Sequence, residues 1–206
     1  MNDLKKIVKE ARELGPVEQG FTCKYCALSF VKESTLAAHT CEPKRRIFQK
    51  DEIGVRLGFN AWVRFFELTQ GSAASKTKTY DDFVTNRLYG AFVKFGRHLH
   101  SIRAINSSGF TDWVIKNNKK LDHWCKDEFY SEFLKEHIRR ERAQEALERS
   151  IKEIGIWAEE TNSPVESFFV TASPYKICMM ITHGRISPWV IYCSDSGVKM
   201  LETLND

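Results

Sequence analysis

Apolar residues recur at helical spacing along most of the chain. Between Ile47 and Leu68, the positions Ile53, Leu57, Ala61, Phe65 and Leu68 fall on one stripe, which predicts a helix. Gly54 and Gly58 weaken that helix, but their missing side chains leave room for a closely packed neighbour. A second helix is predicted from near Tyr80, opened by Thr79 and Asp82 as a capping pair and carrying Phe83, Leu88, Phe92 and Phe95. A shorter one starts at Ser108 or Thr111, buries Phe110, Trp113 and Val114, and closes at Asn117 to Lys120. Asp127 to Glu160 reads as two helices or one bent one. Phe129, Phe133, Leu134 and Ile138 make its apolar face, and Ala146, Leu147, Ile151, Ile154 and Trp157 continue it. Near the start, Asp3 to Leu14 predicts a short helix stopped by Gly15-Pro16.

The pattern changes after Pro164. Ser167-Phe-Phe-Val-Thr171, Lys176-Ile-Cys-Met-Met-Ile-Thr182 and Trp189-Val-Ile-Tyr-Cys193 are short runs rich in aromatic and β-branched residues. They read as strands, with His183-Gly184-Arg185 as a hairpin turn and Pro188 at the start of an edge strand. Val198 to Leu204 predicts a terminal helix. The expected fold is therefore mainly α with a small antiparallel β-sheet near the C-terminus. Three parts are expected: an N-terminal helix over 1–19, a metal-binding module over 20–46, and a helical body over 47–206 ending in a β-hairpin.

Composition narrows the class. The 206 residues are 42% hydrophobic and include 14 Phe, 6 Tyr and 5 Trp, too aromatic for a disordered chain. Apolar runs are only a few residues long, so no transmembrane helix is expected. Met1 to Glu10 is charged and lacks the apolar stretch of a secretory signal. The net charge of +4 is uneven: residues 1–50 hold ten Lys/Arg and six Asp/Glu, and residues 51–206 hold twenty-one of each. The excess sits around the N-terminal module, where it favours contact with nucleic acid or an acidic protein surface.

The six cysteines divide in the same way. Cys125, Cys178 and Cys193 are scattered and read as small buried hydrophobes, whereas Cys23, Cys26 and Cys41 cluster around His39. The cluster reads C-x2-C-x3-F-x5-L-x2-H, followed by a fourth soft ligand. Two cysteines three apart in a tight turn converge two thiolates on one ion. Phe30 and Leu36 supply a minimal core, and His39 lies one turn after Leu36 on a helix starting near Lys32. Zn2+ takes such ligands tetrahedrally and supplies most of the folding energy of so small a unit. Cys41 lies only two residues beyond His39, so the helix must unwind there for Cys41 to turn back; Pro43 fits an early end. Glu42 or a water is the other candidate for the fourth place.

This module resembles the C2H2 zinc finger, which implies a ββα-type unit. The resemblance breaks at the fourth ligand, because Glu42, Pro43 and Lys44 stand where the second histidine would fall. The finger's base-reading positions map onto Lys32, Thr35 and Ala38, of which only Lys32 is a strong donor to a base edge. Lys44, Arg45 and Arg46 could grip phosphates. One finger covers about 3 base pairs, so protein contact is the favoured use. Elsewhere, Gly71 to Thr77 lacks the glycine before Lys76 that a phosphate-binding loop needs. Asp122-His123-Trp124-Cys125 places its acid, base and thiol too close in sequence to converge, and His98 and His100 diverge on a helix. His137 to Arg142 reads as a solvated basic face. No catalytic constellation appears, and no enzyme activity is expected.

Beyond the finger, the chain resembles a family carried by T4-like tailed phages. The stretches that carry the resemblance are His39-Thr-Cys41-Glu-Pro-Lys-Arg-Arg46, Lys78-Thr-Tyr-Asp-Asp-Phe83, Ala91-Phe-Val-Lys-Phe-Gly96, Lys120-Leu-Asp-His-Trp-Cys125 and Ile186-Ser-Pro-Trp189. In that family the short His-x-Cys spacing recurs, which supports Cys41 as a ligand. The resemblance implies a link to baseplate-hub assembly factors. The expected partners are then phage structural or assembly proteins, with DNA or RNA as the alternative and no membrane. The expected location is the host-cell cytoplasm, with the virion as the alternative.

Overall fold

A computed structural model describes residues 20–71, 73 and 78–203. The expected helix at Asp3 to Leu14 lies outside the described residues, as does most of the loop between Gly71 and Lys78. The chain divides into two compact units, Met1–Lys50 and Asp51–Asp206.

In the first unit, strands β1 (Phe21–Thr22) and β2 (Ser29–Phe30) pair antiparallel, Phe21 opposite Phe30 and Thr22 opposite Ser29. Helix α1 (Glu33–Ala38) follows, and α2 (Glu42–Phe48) starts after a short break with Cys41 as its N-cap. This is the ββα order expected of the module, extended by one helix. The periodic stretch from Ile47 is not one helix, because α2 ends at Phe48 and α3 starts at Ile53.

In the second unit, α3 (Ile53–Gln70) and α5 (Tyr89–Ser101) cross closely, with α4 (Tyr80–Thr85) before α5 and α6 (Ser107–Lys116) after it. The predicted Gly54 and Gly58, together with Gly96 on α5, set the closeness. A Cβ on Gly58 would lie 2.6 Å from the Phe92 carbonyl oxygen, and one on Gly96 only 2.0 Å from that of Gly54. Around this crossing Trp62, Phe83, Phe92, Phe95, Phe110 and Trp124 are buried and pack ring on ring, with centroids 5.0 Å apart for Phe95 and Trp124 and 5.3 Å for Trp62 and Phe83. Such ring pairs add about 0.5–1.5 kcal/mol each beyond area burial. The Thr79–Asp82 pair forms the capping box expected at α4: the Asp82 amide donates to Thr79 Oγ1 and the Thr79 amide to the Asp82 carboxylate. Along α3 the most buried positions are Val55, Ala61 and Trp62, whereas Ile53, on the predicted stripe, is exposed.

Asp127 to Glu160 is two helices, α7 (Asp127–Arg140) and α8 (Ala143–Thr161), with an ion pair between Arg149 and Glu141 at the break. From Ile154 and Trp157 on α8 a second core begins, completed by α9 (Phe168–Thr171), α10 (Pro174–Thr182) and α11 (Asp195–Glu202).

That region corrects the sequence reading. The only sheet among the described residues is the two-stranded one at 21–30, and the expected C-terminal sheet and hairpin are helical. Lys176 to Thr182 lies in α10, and Pro188–Cys193 is a 3-10 helix. The physical reason lies at the starts of these segments. Ser173, Ser187 and Ser194 cap the amides of Lys176, Trp189 and Gly197, and Pro174 and Pro188 fill first-turn positions where an amide proton has no partner. Capping and the Ile177/Met180 spacing outweigh β-branched content. The expectation that the scattered cysteines are buried also fails: Cys178 and Cys193 are exposed and Cys125 is half-buried. Among the described residues no helix is long and apolar enough to cross a membrane.

Candidate metal centre

The site is assembled from three local devices. The first is the turn between the strands. The Ala27 amide donates to the Cys23 carbonyl and the Cys23 amide to the Leu28 carbonyl, both at 2.8 Å. Ala27 takes the left-handed conformation, φ 59°, which closes the turn and aims both thiols to one side. The second is α1, which ends at Ala38. His39 leaves the helix in extended geometry while its amide still donates to the Leu36 carbonyl. Its imidazole lies against the Phe30 ring, centroids 4.7 Å apart. The third is Cys41, extended at φ −97°, ψ 162°, from which α2 starts. The unwinding demanded by the two-residue spacing is therefore present, and Pro43 sits in the first turn of a new helix as well as beyond the old one.

One donor atom from each of Cys23, Cys26, His39 and Cys41 lies within 4.8 Å of all the others. Cys23 Sγ is 3.9 Å from Cys41 Sγ, and Cys26 Sγ is 3.3 Å from His39 Nε2. A tetrahedron with metal–sulfur bonds near 2.3 Å and a metal–nitrogen bond near 2.0 Å has edges of about 3.8 and 3.5 Å. The two observed edges bracket these values, so the four side chains are close enough to hold one ion. Glu42 is not among the four; its carboxylate is taken by Arg45 and Arg46.

The electrostatics suit a cation. The backbone amide of Tyr25, joined by that of Cys26 and opposed by burial, holds the Cys23 thiol below its ordinary value. The Leu28 amide pulls Cys26 the same way, yet burial and the neighbouring sulfurs of Cys23 and Cys41 raise it. Sulfurs crowded this closely resist joint ionisation unless a positive charge sits between them.

Of the four candidate nucleic-acid contacts, one stands at the start of α1 and three lie on α2. Lys32 is exposed at the N-cap of α1. Lys44 Nζ donates to the His39 carbonyl at 3.1 Å. Arg45 and Arg46 on α2 bond Glu42 at 2.6 and 3.0 Å. The sequence reading missed this helix and the use of Lys44; the Cys41-Glu42-Pro43 order, a cap followed by acid and proline, was the available signal.

His98, His100 and the Asp122–Cys125 group lie in the second unit. Trp124 is core, its indole donating to the Lys119 carbonyl. Comparison with known proteins finds no match among protein-family descriptions, curated proteins or solved structures.

Proposed function

We propose that this protein is a non-enzymatic, zinc-binding protein of a tailed phage that works through protein contacts, in tail or baseplate assembly or as a virion component. Zinc is the ion that a Cys3His tetrahedron suits. Four protein ligands leave no open position for substrate, which supports a structural role for the ion. The phage assignment rests on the sequence stretches from His39 to Trp189 given above. It carries the host-cell cytoplasm or the virion as the place of action.

The observation that carries the protein-contact reading is the surface of the finger. Phe21, Leu28, Val31 and Phe48 are exposed, the last three between 57% and 69%. Exposed apolar side chains of this kind serve as anchors for a protein partner and have no use on a phosphate backbone.

The test is purification of the tagged protein from infected cells, with identification of the phage structural proteins that accompany it. Phage tail or hub proteins are expected, and Val31→Ser with Phe48→Ser is expected to lose them. Recovery of the wild-type protein free of every phage structural protein would sink the reading. The second reading, a nucleic-acid-binding accessory factor in phage transcription or replication, is favoured by the exposed Lys32 and by the positive excess in residues 1–50. It requires binding to DNA or RNA at low salt that weakens steeply as salt rises.

A further inference from the structure

We infer that the second unit carries a binding site for a small phosphomonoester, in the hollow between the α5–α6 loop and one face of α10 with the turn that follows it. The hollow measures about 450 Å³ and is open to solvent. Four basic side chains line it: Arg103 from the loop, and Lys176, His183 and Arg185 from α10 and the turn that follows. Its floor is apolar, made by Ile102, Met179 and Met180.

The basic groups are held as a receptor would hold them. Arg103 Nη2 donates to Glu160 at 2.7 Å. Arg185 gives Nε and Nη2 to the single oxygen Glu153 Oε2 at 2.7 and 2.6 Å. Each carboxylate fixes a guanidinium, yet each guanidinium keeps N–H donors that these bonds leave over. His183 Nδ1 is bonded to the Met179 carbonyl at 2.7 Å, which pins the ring and leaves Nε2 for another partner. Lys176 is half-buried and forms no ion pair within 4.0 Å among the described residues. Arg103, Lys176 and Arg185 stand against Glu153 and Glu160, so one positive charge in the hollow is uncompensated even with His183 left out of the sum.

Arg103 (φ 48°) and Gly184 (φ 71°) are the left-handed residues that close α5 and α10, with the Ala104 amide donating to the Leu99 carbonyl and the Arg185 amide to that of Met180, so helix C-caps fix the two segments that carry the basic side chains. A planar carboxylate would be satisfied by one guanidinium. Donors arriving from two segments and several directions suit the three terminal oxygens of a phosphomonoester. The methionine floor suits an apolar or aromatic group carried on that phosphate.

The chain has four methionines, and two of them form the floor, so methyl-labelled methionine reports on the site directly. The full chain is titrated with phenyl phosphate at constant ionic strength, with sodium chloride as the control. The expected result is a saturable shift of the Met179 and Met180 methyl signals, none at Met200, and tighter binding than inorganic phosphate. Lys176→Gln should weaken binding about tenfold, the value of one charge-assisted hydrogen bond. Arg103→Gly, which relaxes the backbone while removing the guanidinium, should weaken it similarly; Lys120→Gln, outside the hollow, should not. Shifts that chloride reproduces, or equal affinity in wild type and both site variants, would overturn the proposal.

Discussion

Replacing Gly96 by alanine adds one methyl group at the tightest point of the second unit. The new Cβ would lie 2.0 Å from the Gly54 oxygen, 2.3 Å from the Gly58 nitrogen and 2.8 Å from the Gly58 Cα. All three are backbone atoms of α3, so no side chain can swing aside. Ordinary contact begins near 3.5 Å, so α3 and α5 must part by roughly 1.5 Å. Parting them loosens the rings that close over the crossing, including Phe92, Phe95 and Trp124. Overpacking of a core costs about 1–3 kcal/mol, and more when only backbone can yield. Alanine returns about 1 kcal/mol of helix propensity. With the overpacking cost taken at about 3–4 kcal/mol because only backbone can yield, the net expectation is a loss of about 2–3 kcal/mol, or roughly 1–1.5 M in the urea midpoint for an m-value near 2 kcal/mol/M. All five tryptophans lie beyond residue 50, so their fluorescence follows this unit. Gly90 lies on the same helix, and a methyl group placed there would meet nothing within 4 Å, so Gly90→Ala should leave the midpoint unchanged or raise it slightly. A midpoint for Gly96→Ala within about 0.2 M of wild type would refute the close-crossing argument.

Three further outcomes are expected. Cys41→Ala should weaken zinc binding by about a hundredfold in competition with a chromophoric chelator, a quarter share of a typical four-ligand site; unchanged affinity would remove Cys41 from the ligand set. Chelation at neutral pH should abolish the thiolate-to-metal absorption of the finger while leaving tryptophan fluorescence intact, since residues 20–50 contain no tryptophan. Hydrogen bonds from the Thr79 amide and hydroxyl hold Asp82 below the usual carboxylate range, and Arg97 holds Glu52 there. Both carboxylates bind fewer protons folded than unfolded. Their stabilisation is thus full above the ordinary carboxylate pKa and is lost as pH falls through the lowered values, below about pH 4. Asp82→Asn and Glu52→Gln should each flatten that acid limb in a pH series of thermal melts, and an unaltered limb counts against these pairings.

Local signals with a single physical cause were legible in the sequence. The cysteine pair, Phe30, Leu36 and His39 had to converge for so short a segment to fold, and the two-residue step to Cys41 forced a helix end at His39. Thr79 with Asp82 announced a cap, and Gly54 with Gly58 announced a close neighbour. Their partner Gly96 was not visible, because nothing near it in sequence says which helix it meets. The last forty residues misled for a different reason. Ile177, Ile181, Val190 and Ile191 are residues that strands favour, but tertiary burial and serine caps decide in such short pieces. The basic hollow was illegible because Arg103 and Lys176 are far apart in sequence.

Cys41 serves two masters: it closes the metal cluster and it is the residue from which α2 begins. Lys44, Arg45 and Arg46 all lie in that helix, and each is a trypsin site. A protease needs an extended strand of several residues, so a held helix shields these bonds and a frayed one offers them. An ion held by the four side chains would therefore guard a scissile point just after the cluster, and the intact length of the chain would report its withdrawal.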